Sequence, residues 1–118
     1  LAVTEVHHGC SREEQVRWLH DVWRAAEKVR SEGADIRAVT LWSLFGNVDW
    51  RSLLTRRDGI YDVGAFDTRG GKLRPTMVAQ AAARLARGQM LSHPAVDGRP
   101  WWRRSERFYL GSSPCKPH

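Results

Sequence analysis

The chain has 118 residues, the size of one small domain. Hydrophobic residues make up 42% and charged residues 27%, a globular balance that argues against a disordered or fibrous chain. The net charge of +6 is split evenly: residues 1–88 hold 14 Lys and Arg against 11 Asp and Glu, and residues 89–118 hold five against two.

Nucleic-acid binders more often gather their charge along one helix or sheet face. A small basic nucleic-acid module is therefore a rival reading and not the leading one. Cys10 and Cys115 are far apart and lack metal-ligand spacing, so they read as two free thiols in a reducing compartment. The N-terminus has no basic stretch leading into a long apolar one, and no segment reaches the length of a membrane span. Six tryptophans imply either a heavy core or an aromatic-lined surface. Leu1 already lies inside an apolar run and no Met precedes it, which suggests a piece of a longer chain.

Residues 1–6, LAVTEV, read as a strand buried on both faces. A loop from His7 to Cys10 follows. Ser11 and Glu14 have capping-box spacing, so a helix is expected from Ser11 to a stop at Gly33. Leu19, Val22, Trp23, Ala26 and Val29 recur at helical steps and mark its buried face. Glu13 and Glu14 near its start, with Lys28 and Arg30 near its end, complement the helix dipole. A second strand is expected from Ile36 to Trp42. Two strands joined through one helix form a parallel βαβ unit.

Residues 43–73 are glycine-rich and read as a long loop, with a hairpin suggested by Ile60–Val63 and Ala65–Phe66 around Gly64. Loops this long inside a compact domain are usually functional. Pro75 fits the first turn of a helix that runs to Gly88, with Met77, Val78, Ala81, Ala82 and Leu85 on one side. Residues 89–118 contain Pro94, Gly98, Pro100, Pro114 and Pro117 and read as a linker or irregular tail, with a local cluster around Trp101, Trp102 and Phe108. Two strands leave unpaired edges, so this order suits the end of a larger α/β sheet or barrel.

In parallel α/β folds, reactive groups gather at the carboxyl ends of strands. The first strand ends at Thr4-Glu5, and the second leads into WSLFGNVDW. A carboxylate facing tryptophans, Asn47 and Asp49 suits a carbohydrate: aromatic faces cover sugar C–H groups, and carboxylates accept from hydroxyls. His7 and His8 are adjacent on an extended chain and point in different directions, so they read as loop histidines and not as a metal pair. Trp18 and Trp23 read as packing residues, and Arg103, Arg104 and Arg107 as a solvated linker.

TEVHHG followed by WSLFGNVDW resembles the C-terminal part of glycoside hydrolase family 1, the β-glucosidase family. Thr4 and Glu5 match the family's Thr-Glu-Asn-Gly motif, with Val6 and His7 in place of Asn and Gly. Trp42, Ser43, Leu44, Asn47 and Trp50 match its Trp-Ser-Leu-x-Asp-Asn-x-Glu-Trp motif, with Gly46 and Asp49 in place of Asp and Glu. Arg57, Gly59 and Tyr61 in RRDGIYDV match the next family segment. Residues 93–104, HPAVDGRPWWRR, resemble the linker of bacterial proteins in which such a domain precedes a dTDP-4-dehydrorhamnose reductase-like domain.

The resemblance implies an α/β fold: residues 1–88 as the C-terminal βαβα segment of a (β/α)8 TIM barrel, and 89–118 as linker and tail. It implies retaining hydrolysis of O-glycosyl bonds in the cytoplasm, without cofactor or metal, with Glu5 as the nucleophile. Trp42, Asn47, Asp49 and Trp50 would bind substrate. A retaining site needs a second carboxyl about 5 Å away. The family supplies it from an Asn-Glu-Pro motif that this chain lacks. The implied partners are a carbohydrate, the remainder of the barrel and a C-terminal reductase-like domain, with no nucleic acid and no membrane. The alternative is a catalytically inactive sugar-binding module attached to a sugar-nucleotide reductase.

Overall fold

A computed structural model describes residues 1–107 as a mixed α/β arrangement. Strand β1 (Ala2–Val6) leads through helix α1 (Arg12–Ser31) to strand β2 (Ala38–Leu41). The two strands pair in parallel, with Ala2 opposite Ala38, Val3 opposite Val39 and Val6 opposite Leu41. The expected βαβ unit is present, and its parallel register places both carboxyl ends side by side.

The inward residues of β1 are Val3 and Val6, three apart. A regular strand alternates its side chains with period two and cannot turn both to one face. The register shift between them is a bulge that absorbs the extra residue. Glu5 sits in it with φ of 56°, in the left-handed region. Such a conformation costs a non-glycine residue about 1–3 kcal/mol.

The expectation that β1 is buried on both faces is corrected. Ala2, Thr4, Ala38 and Thr40 are exposed, because among the described residues both long helices cover the same face. Val6, Val16, Leu19, Val78, Ala81, Leu85, Leu91 and Ala95 form the buried core, with Trp18, Val22 and Trp23 packed against it. Each buried Val or Leu among them contributes about 1.5–3 kcal/mol of transfer free energy.

Helix α1 starts as its sequence demands: the Ser11 hydroxyl accepts from the Glu14 N–H at 3.4 Å. The reciprocal half of the capping box is not made, since the Glu14 carboxylate turns to Arg17 instead, at 2.7 Å. Gly33, at φ of 103°, ends the helix in a conformation that suits glycine.

The loop after β2 differs from expectation. The hairpin around Gly64 does not form. Strand β3 (Asn47–Val48) pairs with β4 (Tyr61–Asp62), and β5 (Phe66–Asp67) pairs with β6 (Arg74–Pro75), both antiparallel. Gly64 serves close approach instead of a turn: a Cβ there would lie 2.5 Å from the Phe45 carbonyl carbon. The chain passes alongside residues 43–45, with Ala65 N–H donating to Ser43 O and Phe66 N–H to Leu44 O, both at 2.8 Å. Pro75 lies in β6 and not in the first helical turn. Helix α2 (Met77–Ala86) starts after Thr76, whose hydroxyl donates back to Ala65 O at 2.8 Å.

The segment after α2 is irregular, as its prolines suggest, but it lies against the domain. A short helix α3 (Pro94–Asp97) packs on α1, and Leu91, Ala95 and Pro100 are buried. Arg17 donates through Nε to Ala95 O, Trp102 Nε1 donates to Asp21 at 3.1 Å, and Arg103 pairs with Asp21 at 2.9 Å. Trp101 and Trp102 cluster with His8 and Trp18, as expected of this stretch, while Phe108 and Cys115 lie outside the described residues. Among the described residues, no helix is long and apolar enough to cross a membrane.

Candidate functional site

The bulge fixes Glu5 at the carboxyl end of β1, exposed to solvent. Trp42 follows β2 at the same end of the parallel pair, and its peptide bond to Ser43 is cis. The Trp42 N–H donates to Val6 O at 3.2 Å, tying the two strand ends together. His7 sets its ring edge against Trp42, with centroids 5.1 Å apart at 73°. Trp50 lies on Trp42 at 5.7 Å and 35°, and is 45% exposed. The result is an aromatic row, His7–Trp42–Trp50, at the end of the parallel strand pair where β1 carries Glu5.

Asn47 reaches this end from β3. Its Nδ2 donates to Ser43 Oγ at 3.4 Å, while its Oδ1 is buried without a partner. A buried acceptor left unpaired costs about 1–3 kcal/mol, so this atom marks a local polar deficit. Asp49 is 9% exposed and has φ of 57°. Its Oδ1 accepts from Ile60 N–H at 2.8 Å and its Oδ2 from Gly59 N–H at 3.1 Å. These bonds close the 49–60 loop and hold Trp50 in place at its start. The structure therefore brings Trp42, Asn47, Asp49 and Trp50 together in the loop after β2, with Asp49 anchoring it, and leaves Glu5 at the neighbouring end of β1.

A second polar centre escaped sequence reasoning. Asp67, 4% exposed, accepts from Tyr61 Oη at 3.2 Å, from Arg69 N–H at 3.0 Å and from Arg69 Nε at 3.1 Å through Oδ1. Its Oδ2 meets Arg69 Nη2 at 3.0 Å, Arg74 Nη2 at 2.9 Å and Arg12 Nη2 at 3.9 Å. Hydrogen bonds from Arg69, side chain first and backbone second, hold this carboxyl well below the ordinary aspartate range, with the charges of Arg69 and Arg74 adding to them. The available signal was the charge pattern of FDTRGGKLR, one acid among three bases.

Cys10 is half-buried, and burial followed by the nearby Glu14 charge pushes its thiol up, away from nucleophilic use. Among the described residues, no three His, Cys, Asp or Glu side chains are grouped as a metal site would need. Comparison of the chain with protein-family models, with curated proteins and with solved structures finds no match.

Proposed function

We propose that the chain is the C-terminal βαβα part of a family 1-like glycoside hydrolase barrel, acting on O-glycosyl bonds in the cytoplasm. The observation that carries this reading is the parallel register of β1 and β2. It puts the strand ends that carry Glu5 and lead into Trp42 next to each other, which supports a shared site at the carboxyl ends of the strands. In this mechanism the Glu5 carboxylate attacks the anomeric carbon and the glycosidic oxygen departs with a proton from a second carboxyl. Water then releases the sugar, its proton passing back to that second carboxyl. The second carboxyl comes from another strand of the barrel. Trp42 and Trp50 cover the sugar's apolar face, and Asn47 and Asp49 meet its hydroxyls.

The strained conformation of Glu5 supports the reading, because such strain is tolerated where geometry serves chemistry. So do the exposed Ala2, Thr4, Ala38 and Thr40, which suit a sheet continued by further barrel strands and their side chains. The second reading, a sugar-binding module without catalysis, is favoured by His7, whose ring already occupies part of Trp42.

The test is aryl β-glucoside hydrolysis by the protein that carries this chain within a complete barrel. Glu5→Gln is expected to lower kcat by about a thousandfold or more. Activity unchanged by Glu5→Gln removes Glu5 from the mechanism. Tryptophan quenching by glucosides without any wild-type hydrolysis favours the second reading.

A further inference from the structure

We propose that Arg12, Arg69 and Arg74 form an anion site for a phosphate group, on the far side of the 43–75 loop from its tryptophans in sequence and independent of the glycosidase reading. An open cleft is lined by Arg12, Asp67, Arg69, Arg74, Pro75 and Thr76. Asp67 is the one acid in that lining. Three guanidiniums against one carboxylate leave two positive charges in excess. A phosphate carries about −1.5 to −2 at neutral pH, which matches that excess.

Arg69 and Arg74 are held in the cleft by hydrogen bonds to Asp67 before any ligand arrives. Asp67 is nearly inaccessible, so it acts as an internal template and not as the ligand's competitor. Arg69 is locked by two side-chain bonds to Asp67 and by its position 4.7 Å over the Tyr61 ring. Arg74 and Arg12 each approach Asp67 through one Nη atom, leaving their other guanidinium nitrogens for a second acceptor. The three side chains remain 47%, 54% and 63% exposed, in the order Arg12, Arg69, Arg74. Charged donors fixed by a buried carboxylate bind an oxyanion with less loss of side-chain entropy than free surface arginines do.

The shared ligand chemistry is a phosphate dianion, either inorganic phosphate or a phosphomonoester. The cleft is open, so a monoester's substituent can project into solvent. The experiment titrates inorganic phosphate, and separately phenyl phosphate, into the chain at low ionic strength. It follows the arginine Nε–H and Gly70 and Gly71 amide signals by NMR. Both probes are expected to shift these signals saturably. Tighter binding of phenyl phosphate identifies a monoester site; binding of inorganic phosphate alone identifies a site for the free ion.

Arg12→Gln keeps the Arg69 and Arg74 bonds to Asp67 and is expected to weaken binding about tenfold. The double variant Arg12→Gln with Arg74→Gln is expected to abolish saturation, with circular dichroism confirming that α1 and α2 persist. Arg24→Gln with Arg30→Gln removes the same charge from exposed positions of α1 and is expected to leave binding within about twofold. Equal weakening by this control pair, or no saturation with either probe, overturns the proposal.

Discussion

The helical layer and the 43–75 loop are held together by different forces. Beneath α1, α2 and α3 lie eight buried apolar residues from Val6 to Ala95. In the loop, the buried side chains of that kind reduce to Ala65, while Asp49, Asp67 and the neighbouring Thr76 supply the rest of the burial. Two carboxylates take over the organising role that leucines and valines have in the layer. Apolar burial is non-directional and indifferent to pH, whereas carboxylate anchoring is directional and titrates. The two regions should therefore fail under different stresses.

The largest effect belongs to the layer. Leu19 is 3% exposed at the centre of the buried face of α1. Leu19→Ala is expected to cost about 2–5 kcal/mol, from lost transfer free energy and the cavity left behind. In urea unfolding, the midpoint should fall with an unchanged slope, and probes on both regions should shift together. A shift confined to the helices would sharpen the comparison, because it would mean that the loop holds its fold without the layer beneath it.

Asp67→Asn is the matching test of the loop. An amide there presents an N–H₂ donor to arginines that are themselves donors. Amide exchange across residues 61–75 should speed up while α1 stays protected. The pH dependence follows from the depressed carboxyl of Asp67. Its contribution to stability is fully present above the unfolded value of about 3.9 and is lost as pH falls below it towards the folded value. Acid should therefore loosen the 61–75 segment below about pH 4, and Asp67→Asn should remove that dependence. Helical circular dichroism lost at higher pH than the Tyr61 signal would reverse the order expected of the two regions.

The same division explains what the sequence revealed. Helices α1 and α2 were legible because apolar burial imposes a 3.6-residue period and helix ends demand Ser11 and Gly33. The parallel pair was legible from the one-helix connection. The loop was not, because β3, β4, β5 and β6 are two residues long and carry no period. Gly64 looks like a turn glycine in sequence, yet close packing against Phe45 is what requires it. No spacing rule links Asp67 to Arg12, and the segment from Leu91 to Pro100 hid its buried residues among helix-breaking ones. Of the candidate site, the strand ends and the tryptophans were legible, whereas the role of Asp49 in holding residues 59 and 60 was not.

The smallest effect lies where the sheet passes from one regime to the other. Val3 and Val6 both reach the core only because Glu5 adopts a left-handed conformation between them. The apolar run was expected to be a regular strand buried on both faces, so the bulge between these valines was not legible in the sequence. If the carboxylate is not needed for stability, the position should favour glycine. Glu5→Ala keeps the strained backbone and removes an exposed carboxylate, so it should leave stability nearly unchanged. Glu5→Gly should exceed Glu5→Ala by about 1 kcal/mol, with relief of left-handed strain offset in part by the greater freedom of the unfolded glycine. A thermal melt of the two variants measures the difference directly. Equal stability would mean that the bulge is relaxed and that Glu5 is held there at no cost. A more stable glycine variant would show a glutamate retained against its own backbone preference, which is what a residue kept for its carboxylate requires.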